Sequence, residues 1–202
     1  MRLVVLGPPG AGKGTQAVRI AEQFACADVA TGDIFRANVA EGTELGRAAQ
    51  EYMDRGDLVP DDVVIAMVME RLAERDCDSG FVLDGFPRTV PQAEALERRL
   101  EELGRPLDAV VGLEIGEDEL RDRLAGRAEE QDRAEDEDEG AIHRRLALFD
   151  RETGPLLDFY DAKGLLVRVA ADGDPDQVTD RIAAALEDGD GRDGRGGREG
   201  AA

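Results

Sequence analysis

Short apolar runs alternate with amphipathic stretches along most of the chain. The apolar runs predict buried strands at Leu3–Leu6, Phe81–Leu83, Ala109–Leu113 and Leu165–Val169, with a weaker one at Ala27–Ala30. The amphipathic stretches predict helices at Lys13–Phe24, Gly32–Ala40, Glu44–Arg55, Asp61–Glu74, Val90–Leu103, Glu117–Arg127, Ala141–Tyr160 and Pro175–Leu186. Such alternation is typical of an α/β fold in which a parallel sheet carries helices on both faces.

Three segments interrupt the alternation. Residues 31–59 hold two predicted helices with no strand between them, which indicates a small helical insert. Residues 128–140 contain eight acidic residues among thirteen, so we expect a short solvated excursion. Residues 187–202 contain six glycines among sixteen and show no periodicity. This composition predicts a disordered tail over 188–202.

The first predicted strand leads directly into a glycine-rich loop, Gly7-Pro8-Pro9-Gly10-Ala11-Gly12-Lys13. The pattern GxxxxGK at the start of a helix predicts a phosphate-binding loop, whose backbone N–H groups and lysine surround an anion. One residue departs from that pattern. Gly14 follows Lys13, and the expected hydroxyl comes one position later, at Thr15.

The charge balance limits the choice of partners. The chain of 202 residues carries 46 acidic and 25 basic side chains, for a net charge of −21. Such a surface repels nucleic acid and anionic membranes, so we expect neither as a partner. The excess of acid indicates either adaptation to high salt or an arginine-biased acidic composition. The chain contains no targeting pattern and no apolar run of about 18 residues, which predicts a cytoplasmic protein.

Five motifs occur in order and resemble the adenylate kinases, in their short bacterial and archaeal form. They are GPPGAGKGTQ (7–16), TGDIFR (31–36), GDLVPDDVV (56–64), LDGFPRT (83–89) with Gln92, and HRRLALFDRETGPLLDFY (143–160). The resemblance covers about residues 1–187. It implies reversible phosphoryl transfer between MgATP and AMP, giving two ADP, by a P-loop three-layer fold with a five-stranded parallel sheet. It also implies a core of 1–30, 60–118 and 141–187, an AMP-binding insert at 31–59 and a short lid at 119–140.

The resemblance assigns one set of residues to ATP and its metal ion. The implied ATP-binding residues are Gly10, Ala11, Gly12, Lys13, Gly14, Thr15, Arg123, Arg127 and Gly173. Mg²⁺ is the implied cofactor, held by Thr15 and, through water, by Asp84. Only five residues separate Arg127 from Arg133, and no cysteine lies near them, so we expect no zinc site in the lid.

A second set is assigned to AMP. It comprises Thr31, Arg36, Asp57, Leu58, Val59, Gly85, Arg88, Gln92, Arg133 and Arg145. Lys13, Arg88, Arg123, Arg133 and Arg145 are the implied catalytic cations. The lid departs from the family at Asp132 and Glu135, and the spacing leaves either Arg144 or Arg145 in the last of these positions. Spacing back from Thr153 and Pro155 favours Arg145.

Alternatives remain at three levels. Thr31 or Asp33 could cap the helix that follows, and Asp84 could cap a helix rather than orient metal-bound water. A UMP/CMP kinase would share most of these motifs, although alanine is usual there at the position of Thr31. A non-catalytic nucleotide-binding regulator would have lost a cation or Asp84. We expect a monomer, because the chain supplies its own lid.

The charge generates a first testable prediction, that the melting temperature rises with salt. Repulsion among the acidic groups is screened over about 30 Å at 0.01 M salt and about 3 Å at 1 M. The rise should therefore be steepest at low ionic strength. Thermal unfolding in KCl from 0.01 M to 1 M measures it, and a melting temperature independent of KCl would contradict it.

Overall fold

A computed structural model describes residues 1–53, 59–121, 123 and 146–190. Within these residues, strands β1 (Arg2–Leu6), β2 (Ala27–Ala30), β3 (Phe81–Asp84), β4 (Ala109–Glu114) and β5 (Leu166–Ala170) form one sheet. The strand order is β2-β3-β1-β4-β5, and every pairing is parallel. The predicted five-stranded parallel sheet is therefore confirmed, and no strand end differs from its predicted position by more than one residue.

Helices connect the strands. Their bounds are Lys13–Gln23 (α1), Thr31–Glu41 (α2), Glu44–Met53 (α3), Asp61–Leu72 (α4), Val90–Glu102 (α5), Gly154–Asp161 (α7) and Pro175–Asp190 (α8). Helix α6 starts at residue 117 and is described through 121 and at Arg123. A 3-10 turn at Arg75–Ser79 precedes β3, and a π-helical turn at Phe149–Thr153 leads into α7. No described helix has the length and apolar character needed to cross a membrane.

The sheet separates two apolar layers. Leu3 and Val5 of β1 pack into a cluster with residues of α1 and α8. Val4 and Leu6, on the opposite face, pack with residues of α4, α5 and α7. Successive side chains of a strand point to opposite faces, so a strand covered on both sides is apolar at every position. This explains why β1 appears in the sequence as a continuous apolar run rather than an alternating one.

The insert is held together by an unusually close helix crossing. A Cβ placed on Gly46 of α3 would lie 2.2 Å from the carbonyl oxygen of Asn38 in α2, so only glycine fits there. Thr43 joins the two helices. Its hydroxyl donates to Oδ1 of Asn38 (2.7 Å) and accepts from the Gly46 N–H (2.9 Å). A short, hydrogen-bonded turn therefore joins α2 to α3.

Most described helix ends lie within two residues of the predicted ends. The predicted helix Ala141–Tyr160 contains the π-helical turn at Phe149–Thr153, and two further boundaries differ. Helix α8 continues to Asp190, whereas the predicted helix ended at Leu186 and the predicted tail began at 188. Glycine costs about 1 kcal/mol within a helix but does not by itself end one, and α8 runs through Gly189. The predicted excursion at 128–140 and the tail beyond 190 lie outside the described residues.

The second difference concerns the start of α2. The helix begins at Thr31 itself, with Ala30 at the capping position and no capping side chain. The Thr31 hydroxyl instead donates to the backbone carbonyl of Asp84 (3.2 Å). The prediction of a Thr31 or Asp33 cap was wrong, because the neighbouring strand offers the threonine a tertiary partner.

Candidate active site

The loop between β1 and α1 forms a curled backbone around Lys13. Gly10 and Gly12 adopt φ values of 90° and 87°, in the region that favours glycine. The Lys13 ammonium group donates to the carbonyl oxygens of Gly7 (2.8 Å) and Pro8 (3.0 Å). The lysine is thus held across its own loop, with its charge at the start of α1 where helix dipoles favour an anion.

A buried polar contact fixes α1 against the last helix. Gln16 is 2 % exposed, and its Nε2 donates to the carbonyl of Pro175 (2.9 Å). The Thr179 hydroxyl donates to Oε1 of the same glutamine (2.8 Å). No local sequence pattern predicts this role of Gln16, because its partners lie about 160 positions away. The contact ties the start of α1, and so the loop, to α8.

Asp84 lies close to Gly14, which stands where the general loop pattern has a hydroxyl residue. Asp84 is the last residue of β3, and a Cβ on Gly14 would lie 3.3 Å from its Oδ2. A serine or threonine at position 14 would crowd this carboxylate. The alternative role of Asp84 as a helix cap is excluded for α5, because Thr89 caps that helix by accepting the N–H of Gln92.

Acidic groups collect at the ends of β2 and β3. Burial raises the pKa of Asp28, and the charges of Asp84 and then Asp33 raise it further. Mg²⁺ is commonly held by one or two carboxylates, with water and substrate phosphates completing its octahedron. The described residues contain no cluster of three or more metal-ligating side chains. A single carboxylate beside the loop, in a negative local field, fits a metal ion that arrives with a polyphosphate.

One cavity of about 390 Å³ opens between the loop and the insert. Pockets of this size accommodate small organic ligands. Lys13 lines it at one side, together with Gly7 and Pro9. Other lining residues come from the insert, from the starts of α4 and α5, and from the π-helical turn; they include Thr31, Phe35, Val59, Asp61, Val64, Arg88, Gln92, Phe149 and Thr153. The fold thus brings motifs that are far apart in sequence to one concave site.

Gly85 and Thr31 meet at one wall of this cavity. Gly85 has φ of 82°, and a Cβ on it would lie 2.4 Å from the Thr31 hydroxyl oxygen. The Arg88 Nε donates back to the Gly85 carbonyl (2.9 Å). The Thr153 hydroxyl donates to the Arg88 carbonyl (3.3 Å). No local sequence pattern predicts this contact of Thr153, because its partner lies 65 positions away.

Gln92 is held in a polar network that the sequence analysis missed. Its Nε2 donates to Oδ1 of Asp61 (2.6 Å), and its Oε1 accepts the Arg88 N–H (2.8 Å). The Thr89 hydroxyl donates to Oδ2 of Asp61 (2.9 Å). An acid in the first turn of a helix is ordinary, so Asp61 carried no special signal in the sequence.

A cationic side chain approaches the loop from α6. The Arg123 guanidinium donates to Glu119 (3.0 Å) and to the Gly173 carbonyl (3.1 Å). A Cβ on Gly12 would lie 4.0 Å from this guanidinium. Arg123 and Gly173, both predicted for ATP, are therefore brought together beside the loop, although 50 positions separate them.

The remaining predicted site residues either do not line the cavity or lie outside the part of the chain that the structure describes. Ala11 is buried in the loop, whereas Gly14 and Thr15 are exposed. Arg36 is exposed, pairs with Asp33, and lies next to Gly32, which lines the cavity. Five predicted site residues lie outside the described residues: Asp57, Leu58, Arg127, Arg133 and Arg145.

Comparison with known proteins assigns the chain to a family. A family model described as adenylate kinase matches residues 5–165. The chain belongs to the adenylate kinase family. It is 49% identical over 187 residues to an adenylate kinase of Stenotrophomonas maltophilia (strain R551-3), covering 93% of the chain and 100% of that relative. It is 52% identical over 187 residues to one of Thermobifida fusca (strain YX), covering 93% and 98%.

An archaeal relative shows a length difference within the family. The chain is 43% identical to an adenylate kinase of Methanosarcina barkeri (strain Fusaro / DSM 804), covering 93% of the chain and 99% of the relative. The alignment to this relative spans 213 positions, whereas the alignment to the Stenotrophomonas maltophilia protein spans 187, and both cover 93% of this chain. The longer relative therefore carries residues that this chain lacks. The match to relatives of about 187 residues is consistent with the short type, and the pyrimidine nucleotide kinase alternative is not favoured.

The contact between Gly85 and Thr31 generates a second prediction. Gly85→Ala should displace Thr31 and raise KM for AMP several-fold, with a smaller change in KM for ATP. Gly104→Ala is the matched control, since Gly104 has φ of 65° but a Cβ there meets nothing within 4 Å. Both variants incur backbone strain of about 1 kcal/mol or more. Steady-state kinetics separate the two, and equal KM values for AMP in both variants would contradict the prediction.

Proposed function

We propose that this protein catalyses the reversible transfer of a phosphoryl group from MgATP to AMP, giving two ADP. One observation carries the proposal. The phosphate-loop lysine, Lys13, and the residues predicted for AMP, including Arg88 and Gln92, line the same cavity. A phosphoryl donor held by the loop and an acceptor held in that cavity would therefore be adjacent, as in-line transfer requires. Such an activity serves the balance of the adenine nucleotides.

The AMP site in this proposal is the cavity between β3, α2, α4 and α5. Thr31 and Gln92 hold the adenine, Gly85 lets the base approach the backbone, and Arg36 and Arg88 bind the phosphate. Val59 lines the same cavity. Asp57 and Leu58, with Arg133 and Arg145 of the lid, complete the assignment and rest on the family resemblance.

ATP occupies the loop and the start of α1. The backbone from Gly10 to Thr15 surrounds its phosphates, and Arg123 stacks on its adenine near Gly173. Arg127 reaches its phosphates from the lid. Mg²⁺ neutralises charge on the phosphates when it is bound, and Thr15 and Asp84, the latter through water, are the residues that hold it.

The proposed chemistry needs positioning and charge rather than a general base. The acceptor is a phosphate oxygen of AMP, which is already ionised at neutral pH. Lys13 and the arginines stabilise charge that spreads over the migrating group. A lid formed by 119–140 excludes water, which would otherwise hydrolyse ATP. We propose further that the enzyme acts in the cytoplasm as a monomer, with nucleotides as its only ligands.

Lys13 carries the main test. Lys13→Met should retain the fold and lower the rate of ADP formation from ATP and AMP by about 10²-fold or more, because it removes charge nearest the migrating group. The chain's other lysine provides the control. Lys163 pairs with Glu97 on the surface (2.8 Å), so Lys163→Met should keep normal turnover. Near-normal turnover in Lys13→Met would remove Lys13 from the mechanism.

Arg123 tests the division of the two nucleotide sites. Arg123→Ala should raise KM for ATP several-fold and leave KM for AMP nearly unchanged, because its guanidinium lies beside the loop. Arg121→Ala is the control. Arg121 is on the same helix and pairs with Glu117 four residues earlier, as Arg123 does with Glu119. A selective defect in AMP use by Arg123→Ala would show that the two sites are assigned the wrong way round.

A further inference from the structure

The Gln92 side-chain amide is held at both ends by groups of opposite hydrogen-bonding type. The Asp61 carboxylate can only accept, and it receives Nε2 at 2.6 Å. The Arg88 backbone N–H can only donate, and it reaches Oε1 at 2.8 Å. If the amide rotated by 180°, Oε1 would face a carboxylate oxygen and the NH₂ group would face an N–H. Both hydrogen bonds would become repulsive contacts.

Asp61 is itself held in place. Its second carboxylate oxygen accepts a hydrogen bond from the Thr89 hydroxyl at 2.9 Å. The Thr89 hydroxyl oxygen in turn accepts one from the backbone N–H of Gln92 at 3.3 Å. The side chains of Asp61, Thr89 and Gln92, with the backbone N–H of Gln92, therefore form a closed network between the start of α4 and the start of α5. Gln92 is 5 % exposed, so water offers little substitute for these partners.

We propose that Asp61 is a positioning residue that makes the site select a 6-aminopurine over a 6-oxopurine, by locking the Gln92 amide in one orientation. This inference rests on the proposed function, in which the cavity holds the base of AMP. Asp61 and Gln92 both line that cavity. An amide has two donor hydrogens and two acceptor lone pairs, so Gln92 keeps one of each for a ligand.

The chemistry of the two bases shows why orientation matters. Adenine presents a 6-amino donor beside the N1 acceptor, and hypoxanthine presents a 6-oxo acceptor beside an N1–H donor. A freely rotating amide would match either edge by turning over. A locked amide matches one edge and sets donor against donor and acceptor against acceptor on the other. Sites that leave buried polar groups unpaired in this way discriminate strongly.

The ordinary role of an acid at this position is to stabilise the helix start. Asp61 and Asp62 both lie in the first turn of α4, where a negative charge is favourable. Asp62 is exposed. Asp62→Ala therefore removes a comparable helix-end charge without touching the network, and it is the matched control.

The experiment measures kcat/KM for AMP and for inosine monophosphate, with ATP as donor, in the wild type, Asp61→Ala and Asp62→Ala. In Asp61→Ala the ratio of AMP to inosine monophosphate should fall about tenfold or more, and kcat/KM for inosine monophosphate should rise. A variant that only loses stability has no reason to gain activity on the second substrate. Asp62→Ala should keep the wild-type ratio.

Two further variants complete the test. Asp61→Asn keeps the size of the side chain but replaces the acceptor-only group by an amide that can itself turn over. The ratio should fall in it too, by a smaller factor, and this variant decides the matter if Asp61→Ala does not fold. In a Gln92→Leu background, Asp61→Ala should have no additional effect on the ratio.

Each remaining outcome has a distinct meaning. An unchanged ratio in the folded Asp61 variants overturns the inference, as does an equal effect of Asp61→Ala with and without Gln92. If the wild-type protein does not phosphorylate AMP, the proposed function fails, and the inference fails with it. The wild-type assay by itself tests the proposed function, so its failure is distinguishable from a failure of Asp61 to orient the Gln92 amide.

Discussion

The parallel pairing of β1 with β3 is the constraint on which the site depends. Its register sets Val5 opposite Asp84, so the phosphate loop after β1 and the polar segment after β3 begin at the same edge of the sheet. On the other side of β3, Ala30 is paired with Asp84, and Thr31 follows at once. The backbone pairing of the strands thus brings three segments that are distant in sequence to the same edge of the sheet. The apolar layers on both faces also resist a change of register, since a slip of one residue would exchange the side chains that are closely packed in the two layers.

Much of this arrangement could be predicted from local patterns. The run Leu3–Leu6, the glycine loop and the helix from Lys13 are contiguous, and each follows from backbone chemistry that acts over a few residues. The carboxyl ends of parallel strands meet at one edge of a sheet, so the sequence alone predicts that Asp84 and Lys13 lie near each other. The family resemblance added the assignments to AMP and ATP, which periodicity and charge do not contain. Within the described residues the fold prediction is confirmed, whereas the individual site residues stay predictions.

What could not be predicted is the set of partners each polar group finds. Gln92 was expected to face a base, but its bond to Asp61 joins two helix starts 31 residues apart. Threonine is a residue type that is favoured at helix caps, yet the Thr31 hydroxyl donates to a backbone carbonyl of β3. Gly14, a departure from the general motif, lies beside Asp84 at the end of a later strand. In each case the deciding contact is tertiary, and a short polar side chain can satisfy several local patterns equally well.

The acidic composition and the anion-binding site are compatible because they act over different distances. At physiological ionic strength the field of exposed acids is screened within about 8 Å, whereas the loop amides and Lys13 act on a phosphate at contact distance. Arg36 and Arg123, proposed to bind nucleotide, each have an acidic partner within one helical turn. An exposed pair such as Arg36–Asp33 contributes about 0–1 kcal/mol, and charge-assisted hydrogen bonds from arginine to phosphate are stronger. In the proposed binding mode Arg36 therefore exchanges a weak carboxylate contact for a stronger contact with phosphate, and its acidic neighbour is compatible with nucleotide binding.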